Sequence, residues 1–207
     1  MITIFIILVT TVVSVIAFSN NSVFDKMMFD PYRINHMRQY HRFFTHGLIH
    51  ADWAHLLINM FVLYSFGSLV EDVFKFLFGM SKGTYYFLLL YIGAIVISST
   101  PSFGKHKNDA WYRAVGASGA ISAVLFASIV ITPLSGIRFI FIPVDIPAFL
   151  FGILYLVYSA YMARRASDNI GHDAHFWGAV FGIIFTIAIK PALFTGFIEQ
   201  VKEFKIF

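Results

Sequence analysis

Six apolar stretches, each closed by a short polar cluster, set the pattern of this chain. Residues 2–18 carry no charge and end at Ser19-Asn20-Asn21-Ser22, a cluster of turn-forming residues. Further apolar runs occupy 53–70, 84–98, 118–131, 147–162 and 175–189. Asp52 stands where it can cap the second run. The polar stretch 101–113 separates the third from the fourth. Pro133 closes the fourth, Arg164-Arg165 the fifth and Lys190-Pro191 the sixth. The pattern predicts an all-α polytopic membrane protein, a bundle of six transmembrane helices. Between the first two runs, residues 23–52 mix Phe24, Met27, Met28, Phe29, Tyr32, Phe43 and Phe44 with Lys26, Arg33, Arg38 and Arg42. Aromatic and basic side chains together suit the headgroup layer, so this first loop is expected to lie in the membrane surface. The tail alternates Phe197, Ile198, Val201, Phe204 and Ile206 with Glu199, Lys202, Glu203 and Lys205, as a surface helix would.

Composition sharpens the class. Of 207 residues 58% are hydrophobic and 13% charged, more apolar surface than a soluble domain of this length can hide. Six spans of ~20 residues leave room for loops alone, so residues 1–207 read as a single domain. No positive segment precedes the first run and no small-residue cleavage site follows it, so it is expected to stay as an anchor. There is no cysteine, hence no disulfide and no thiolate metal site. The net charge of +4 is spread over loops without a basic run, and no nucleic-acid partner is expected. Internal repeats and mid-membrane breaks, the marks of a transporter, are missing from the pattern.

The candidate chemistry lies where the even-numbered spans begin. Spans two, four and six enter the bilayer from one face. Their first turns carry His55 and Asn59, then Ser118, then His175, at similar depth. Gly116-Ala117-Ser118-Gly119 puts a serine at the mouth of a buried helix, beside unpaired backbone N–H groups that can hold a negative oxygen. Small residues there also serve plain helix packing, and Gly-x-Ser-Gly alone does not separate the two readings. His175, Gly178, Ala179 and Gly182 share one helical face, and Ser118, Gly119, Ser122 and Ala123 offer a matching small face. Packed together, they would bring an imidazole, with a reference pKa of ~6.5, to a serine hydroxyl. His55 and Asn59, at i and i+4, can offer N–H groups to an oxyanion. His46 and His50 read as structural, tying the loop to the helices. Asp173, at i−2 from His175, points round the helix and is not assigned to a triad. Six histidines lie on this side, yet no His-Glu-x-x-His occurs and no carboxylate faces His55 or His175, so no metal site and no cofactor are expected.

These residues resemble the rhomboid intramembrane serine proteases. The likeness covers nearly the whole chain and rests on His46-x3-His50-x4-His55-x3-Asn59, on Gly116-Ala117-Ser118-Gly119, and on Ala174-His175-x2-Gly178-x3-Gly182. It implies a Ser118–His175 dyad and an oxyanion site from His55, Asn59 and the Ser118 amide. Gly116, Gly119, Gly178 and Gly182 would be structural near the site. It also implies cleavage of single-span transmembrane substrates that enter sideways from the lipid, into a water-filled cavity on the extracytoplasmic side. Arg42 matches the arginine of the family's first-loop Trp-Arg pair, and Glu71 the glutamate after the second span. Two positions depart: His41 stands where that pair has tryptophan, and Ser122 where some members set a tyrosine against the histidine ring. Charge bias favours an outside amino terminus, whereas the family places it inside. The expected location is the cell (inner) membrane of a bacterium. A non-catalytic relative that binds membrane helices is the alternative.

Overall fold

A computed structural model describes residues 1–139, 142–165 and 170–204, and the structure is mostly helical. Lys205 and Ile206 of the expected tail helix lie outside the described residues. Helix α1 (Ile2–Ser19) shows how the sequence is turned inside out relative to a soluble protein. Its inward face is Thr3, Thr10, Ser14 and Ala17, while Phe5, Leu8 and Val12 point outward and are more than half exposed. Small and polar groups pack helix to helix, and large apolar ones are left for lipid. Glu71 holds the start of α1: its carboxylate accepts from the Ile2 and Thr3 amides at 2.8 and 2.9 Å and from Thr3 Oγ1 at 2.7 Å, and it pairs with Lys75.

The connection after α1 is built of short helices α2 (Asn21–Met27), α3 (Pro31–Met37) and α4 (Arg42–Thr45), with a 3-10 turn at His46–Leu48. Arg42, 2% exposed, organises them by donating to the Asp25 and Met28 carbonyls at 2.6 and 2.9 Å and to Gln39 at 2.7 Å. His41, the departure from the Trp-Arg pair, instead meets the Lys26 carbonyl at 3.2 Å. The loop therefore has a fixed path without a tryptophan.

Helices α5 (Trp53–Val62) and α6 (Ser68–Phe78) form one rod through a π turn at Leu63–Gly67, eight residues longer than the sequence predicts. Asp52 caps it, accepting from the His55 amide at 2.8 Å. Helix α7 (Met80–His106) also overruns its expected end, carrying Pro101 inside it. The polar stretch 101–113 is thus half helix. Ser99 and Thr100, whose hydroxyls bond back to the Ile95 and Val96 carbonyls, lie just before the proline, a local adjustment that lets membrane helices tolerate one. Then come α8 (Ser118–Ile131), the strands β1 (Gly136–Phe139) and β2 (Ile142–Pro147), α9 (Ala148–Arg165), α10 (His172–Ile189) and the tail helix α11 (Ala192–Glu203). The antiparallel β1–β2 hairpin is a departure from an all-α fold; Arg138 and Asp145 close it with bonds of 2.7 and 2.8 Å.

Among the described residues, four segments are long and apolar enough to cross a membrane: Ile2–Ser19, Trp53–Phe78, Met80–His106 and His172–Ile189. Helix α8 is shorter, 14 residues or ~21 Å against a hydrocarbon core of ~30 Å. It is the centre of the bundle, buried from Gly119 to Val130 on every side, so its partners are other helices and not lipid.

Candidate functional site

The N-terminus of α8 is the point on which four helices converge. Gly116 has φ of 112°, which glycine adopts without strain, and its amide donates to the His46 carbonyl at 2.9 Å. A side chain there would also strike the His55 ring, whose Nε2 is 2.8 Å from the Cβ position. No side chain caps α8, so its first-turn N–H groups face the space in front of Ser118. The segment before Gly116 is pinned to the first loop. Phe29 and Ala114 exchange backbone bonds at 2.9 and 3.1 Å, and the Asp30 carboxylate, fully buried, pairs with Arg113 and Arg33 at 3.1 and 3.2 Å.

Helix α10 meets α8 glycine to backbone. A Cβ on Gly178 would overlap the Gly119 carbonyl, and one on Gly182 the Ala123 carbonyl. Gly119 is equally confined, with Ser98 of α7 on one side and the Ala174 carbonyl 3.2 Å from its Cβ position on the other. Ser118 and His175 are the next residues along from that Gly119–Ala174 contact. Both line one cavity of about 1450 Å³, together with His55, Asn59 and Gly116. The cavity continues past α8, walled by α5 and α9, as far as Arg138 in the hairpin. The His175 ring meets the ring of His172, edge-on at 5.8 Å, and the ring of Tyr155 from α9, at 6.3 Å. Asp173 is turned away from this cavity and pairs with Lys105 at 3.8 Å.

Hydrogen bonds fix two tautomers. The Ala51 amide donates to His55 Nδ1 at 3.5 Å, so the His55 hydrogen sits on Nε2, the atom beside Gly116. Asn59 spends one amide hydrogen on the His55 carbonyl at 2.8 Å and keeps another. Ser14 Oγ donates to the Leu48 carbonyl at 3.0 Å, and having one hydrogen it must accept from His50 Nδ1, also at 3.0 Å. His50 thus ties the loop to α1, and its ring packs edge-on against His55 at 4.9 Å.

Burial pushes His46 down from 6.5 to about 4, and burial reinforced by the neighbouring His55 pushes His50 to about 3. Both rings are neutral in the folded protein at pH 7. The unfolded chain takes up these protons near pH 6.5, so the stability they contribute is full above that value. It is lost as pH falls towards 4. The melting temperature of the detergent-solubilised protein is expected to drop on acidification from pH 7 to pH 5, and less so in His50→Gln.

Residues 37–192 match the family model for the rhomboid domain. The chain belongs to the rhomboid family. Among curated proteins it is 31% identical over 144 residues to the human presenilin-associated rhomboid-like protein, mitochondrial, covering 65% of this chain and 34% of that relative. The mouse protein of that name matches over the same shares. It is 26% identical over 162 residues to RHOMBOID-like protein 12, mitochondrial, of Arabidopsis thaliana, covering 74% of this chain and 48% of the relative. The matched part thus spans about a third to a half of the length of these relatives. This rhomboid is an integral, multi-pass membrane protein. The relatives' names place them in mitochondria, so the comparisons lend nothing to a bacterial inner membrane.

Sequence reasoning did not single out Tyr155. In this rhomboid Ser122 stands where the resemblance offers a tyrosine, and Tyr155 approaches the His175 ring from a different helix. The stretch from 147 to 162 carries Tyr155, Tyr158 and Tyr161 at three-residue spacing, a polar-tipped stripe on an apolar helix. That stripe was the available signal.

Proposed function

We propose that this rhomboid is an intramembrane serine endopeptidase that cleaves single-span transmembrane substrates. The observation that carries the reading is that Ser118 and His175 line one cavity, on helices in glycine-to-backbone contact. Ser118 Oγ attacks the scissile carbonyl while His175 takes its proton. The oxyanion then meets the His55 Nε2–H, the spare Asn59 amide hydrogen and the Ser118 backbone N–H. His175 returns the proton to the leaving amine, the acyl group stays on Ser118, and a water activated by His175 releases it. Catalysis uses protein groups and water, without metal or cofactor. The cavity exceeds the ~300–1,000 Å³ usual for small ligands, and its walls on α5 and α9 suit an unwound polypeptide segment. In this reading the six spans are α1, the α5–α6 rod, α7, α8, α9 and α10, with residues 1–207 acting as one domain.

Labelling with a fluorophosphonate probe tests the reading. The protein is expected to be modified on Ser118, and a folded protein that resists the probe would instead be a non-catalytic binder of membrane helices. Replacing His55 or Asn59 by alanine is expected to lower kcat, each by about 10²–10³ if a full oxyanion donor is lost. His55→Ala removes a donor held in one tautomer, so it should cost more than Asn59→Ala, measured on a model membrane substrate.

A further inference from the structure

Tyr155 belongs to α9, yet its ring and its hydroxyl serve two other helices. Its hydroxyl lies 2.6 Å from Ser122 Oγ, and Ser122 Oγ lies 2.8 Å from the Ser118 carbonyl. A serine has one hydroxyl hydrogen, and a carbonyl can only accept. The Ser122 hydrogen is therefore given to Ser118, and the Tyr155 O–H must donate to Ser122. The chain of bonds runs in one direction, from α9 through Ser122 to the backbone of the residue that carries the proposed nucleophile. The same phenol ring lies beside the His175 ring, with centroids 6.3 Å apart and planes inclined at 31°. Phe126 and Phe151 pack on Tyr155 at 5.5 and 5.9 Å and hold the ring in place.

We propose that Tyr155 is a positioning residue for His175: anchored through Ser122 to the Ser118 backbone, it forms the wall that sets where the imidazole stands relative to Ser118. The proposal rests on the dyad reading. It accounts for Ser122, since a short hydroxyl at that position leaves room for a tyrosine from α9 and supplies its tether. A 1 Å error in the position of a base is costly in rate, so a wall fixed to the nucleophile's own backbone has a clear use. Among the described residues, the titratable groups around His175 include His172 on its own helix, Tyr155 on α9, His55 across the cavity and the Lys105–Asp173 pair between α7 and α10.

The test is a steady-state comparison of the full chain and four variants on a model membrane substrate, with kcat, KM and the pH profile of kcat measured for each. Tyr155→Leu is expected to lose about 10- to 100-fold in kcat with little change in KM. The acid limb of its profile should move to higher pH, because water admitted to the imidazole favours the protonated ring. Tyr155→Phe and Ser122→Ala keep the packing and remove one shared bond, so each should lose less. Their double variant should lose no more than the worse single. Wild-type kcat and an unmoved acid limb in a folded Tyr155→Leu would overturn the proposal, as would a change in KM alone or additive losses in the double variant. If Tyr155→Leu fails to fold, the two conservative variants and their double still decide the matter. Failure of the dyad reading shows separately, as cleavage that survives Ser118→Ala.

Discussion

Ser118→Ala is expected to abolish cleavage of a model membrane substrate, and His175→Ala to be nearly as inactive. Residues that act as one unit do not contribute separately: once the nucleophile is gone, the base has no proton to take. Losses of roughly 10⁴-fold or more are expected for each single variant, with the double variant no worse than Ser118→Ala. The residual rate comes from the oxyanion donors and from holding the substrate, both untouched by these changes. Asp173→Asn gives the contrast that makes the result specific. Asp173 pairs with Lys105 at the outer side of α10 and does not line the cavity, so its loss should leave the rate close to wild type. If Asp173 were a third acid behind His175, Asp173→Asn would be as inactive as Ser118→Ala, and the dyad would then be wrong. Circular dichroism and thermal melting of each variant separate loss of chemistry from loss of fold.

Much of this arrangement was legible because it is carried by short local patterns. The small residues at 118, 119, 122 and 123 and at 178, 179 and 182 mark two helix faces by spacing alone, and those faces meet. Asp52 announces a helix start by a side-chain bond that needs no tertiary context, and the bond is present. What the sequence concealed depends on contacts between distant segments. Pro101 reads as a helix end because its ring and missing N–H oppose a helix, yet α7 continues through it to His106. The hairpin of β1 and β2 lay between two apolar spans, where a short β-branched run cannot be told from a helix margin by period. Tyr155 is harder still: nothing within α9 says that its hydroxyl will find Ser122. Arg42 shows the opposite case. A buried arginine in a loop is costly unless its donors find acceptors, and the carbonyls of Asp25 and Met28 and the Gln39 side chain accept from its Nη1 and Nε. That cost explains why an arginine can fix the loop where a tryptophan is lacking. The loop in turn reaches the site through the Phe29–Ala114 bridge, the Asp30–Arg113 pair and the Gly116 bond to His46, so the first loop acts as scaffold for the turn that leads into Ser118.

Gly178→Val is expected to be the most damaging single change outside the polar residues. The Cβ alone would overlap the Gly119 backbone carbonyl, and a backbone cannot rotate aside as a flexible side chain can. Relief requires α10 to move away from α8. Overpacking of a core typically costs ~1–3 kcal/mol where side chains can adjust, and here the obstacle is main chain, so about 3 kcal/mol or more is expected. The movement also separates Ser118 from His175, whose neighbours Gly119 and Ala174 are in contact across the same seam. Stability and activity should therefore fall together, read as a lowered melting temperature in detergent and loss of fluorophosphonate labelling. Gly104→Ala is the control: it lies in α7, its Cβ position meets nothing within 4 Å, and alanine favours helix over glycine. It should melt at or above the wild-type temperature and label normally. If Gly178→Val melts and labels like Gly104→Ala, the close approach of α8 and α10 is not what joins the hydroxyl to the imidazole. A milder substitution refines the reading: Gly178→Ala adds a single methyl group at the seam. That methyl is the Cβ that overlaps the Gly119 carbonyl, so α10 must shift here too. Melting temperature and labelling should both fall, by less than in Gly178→Val, with labelling the more affected because proton transfer needs a hydrogen-bond distance.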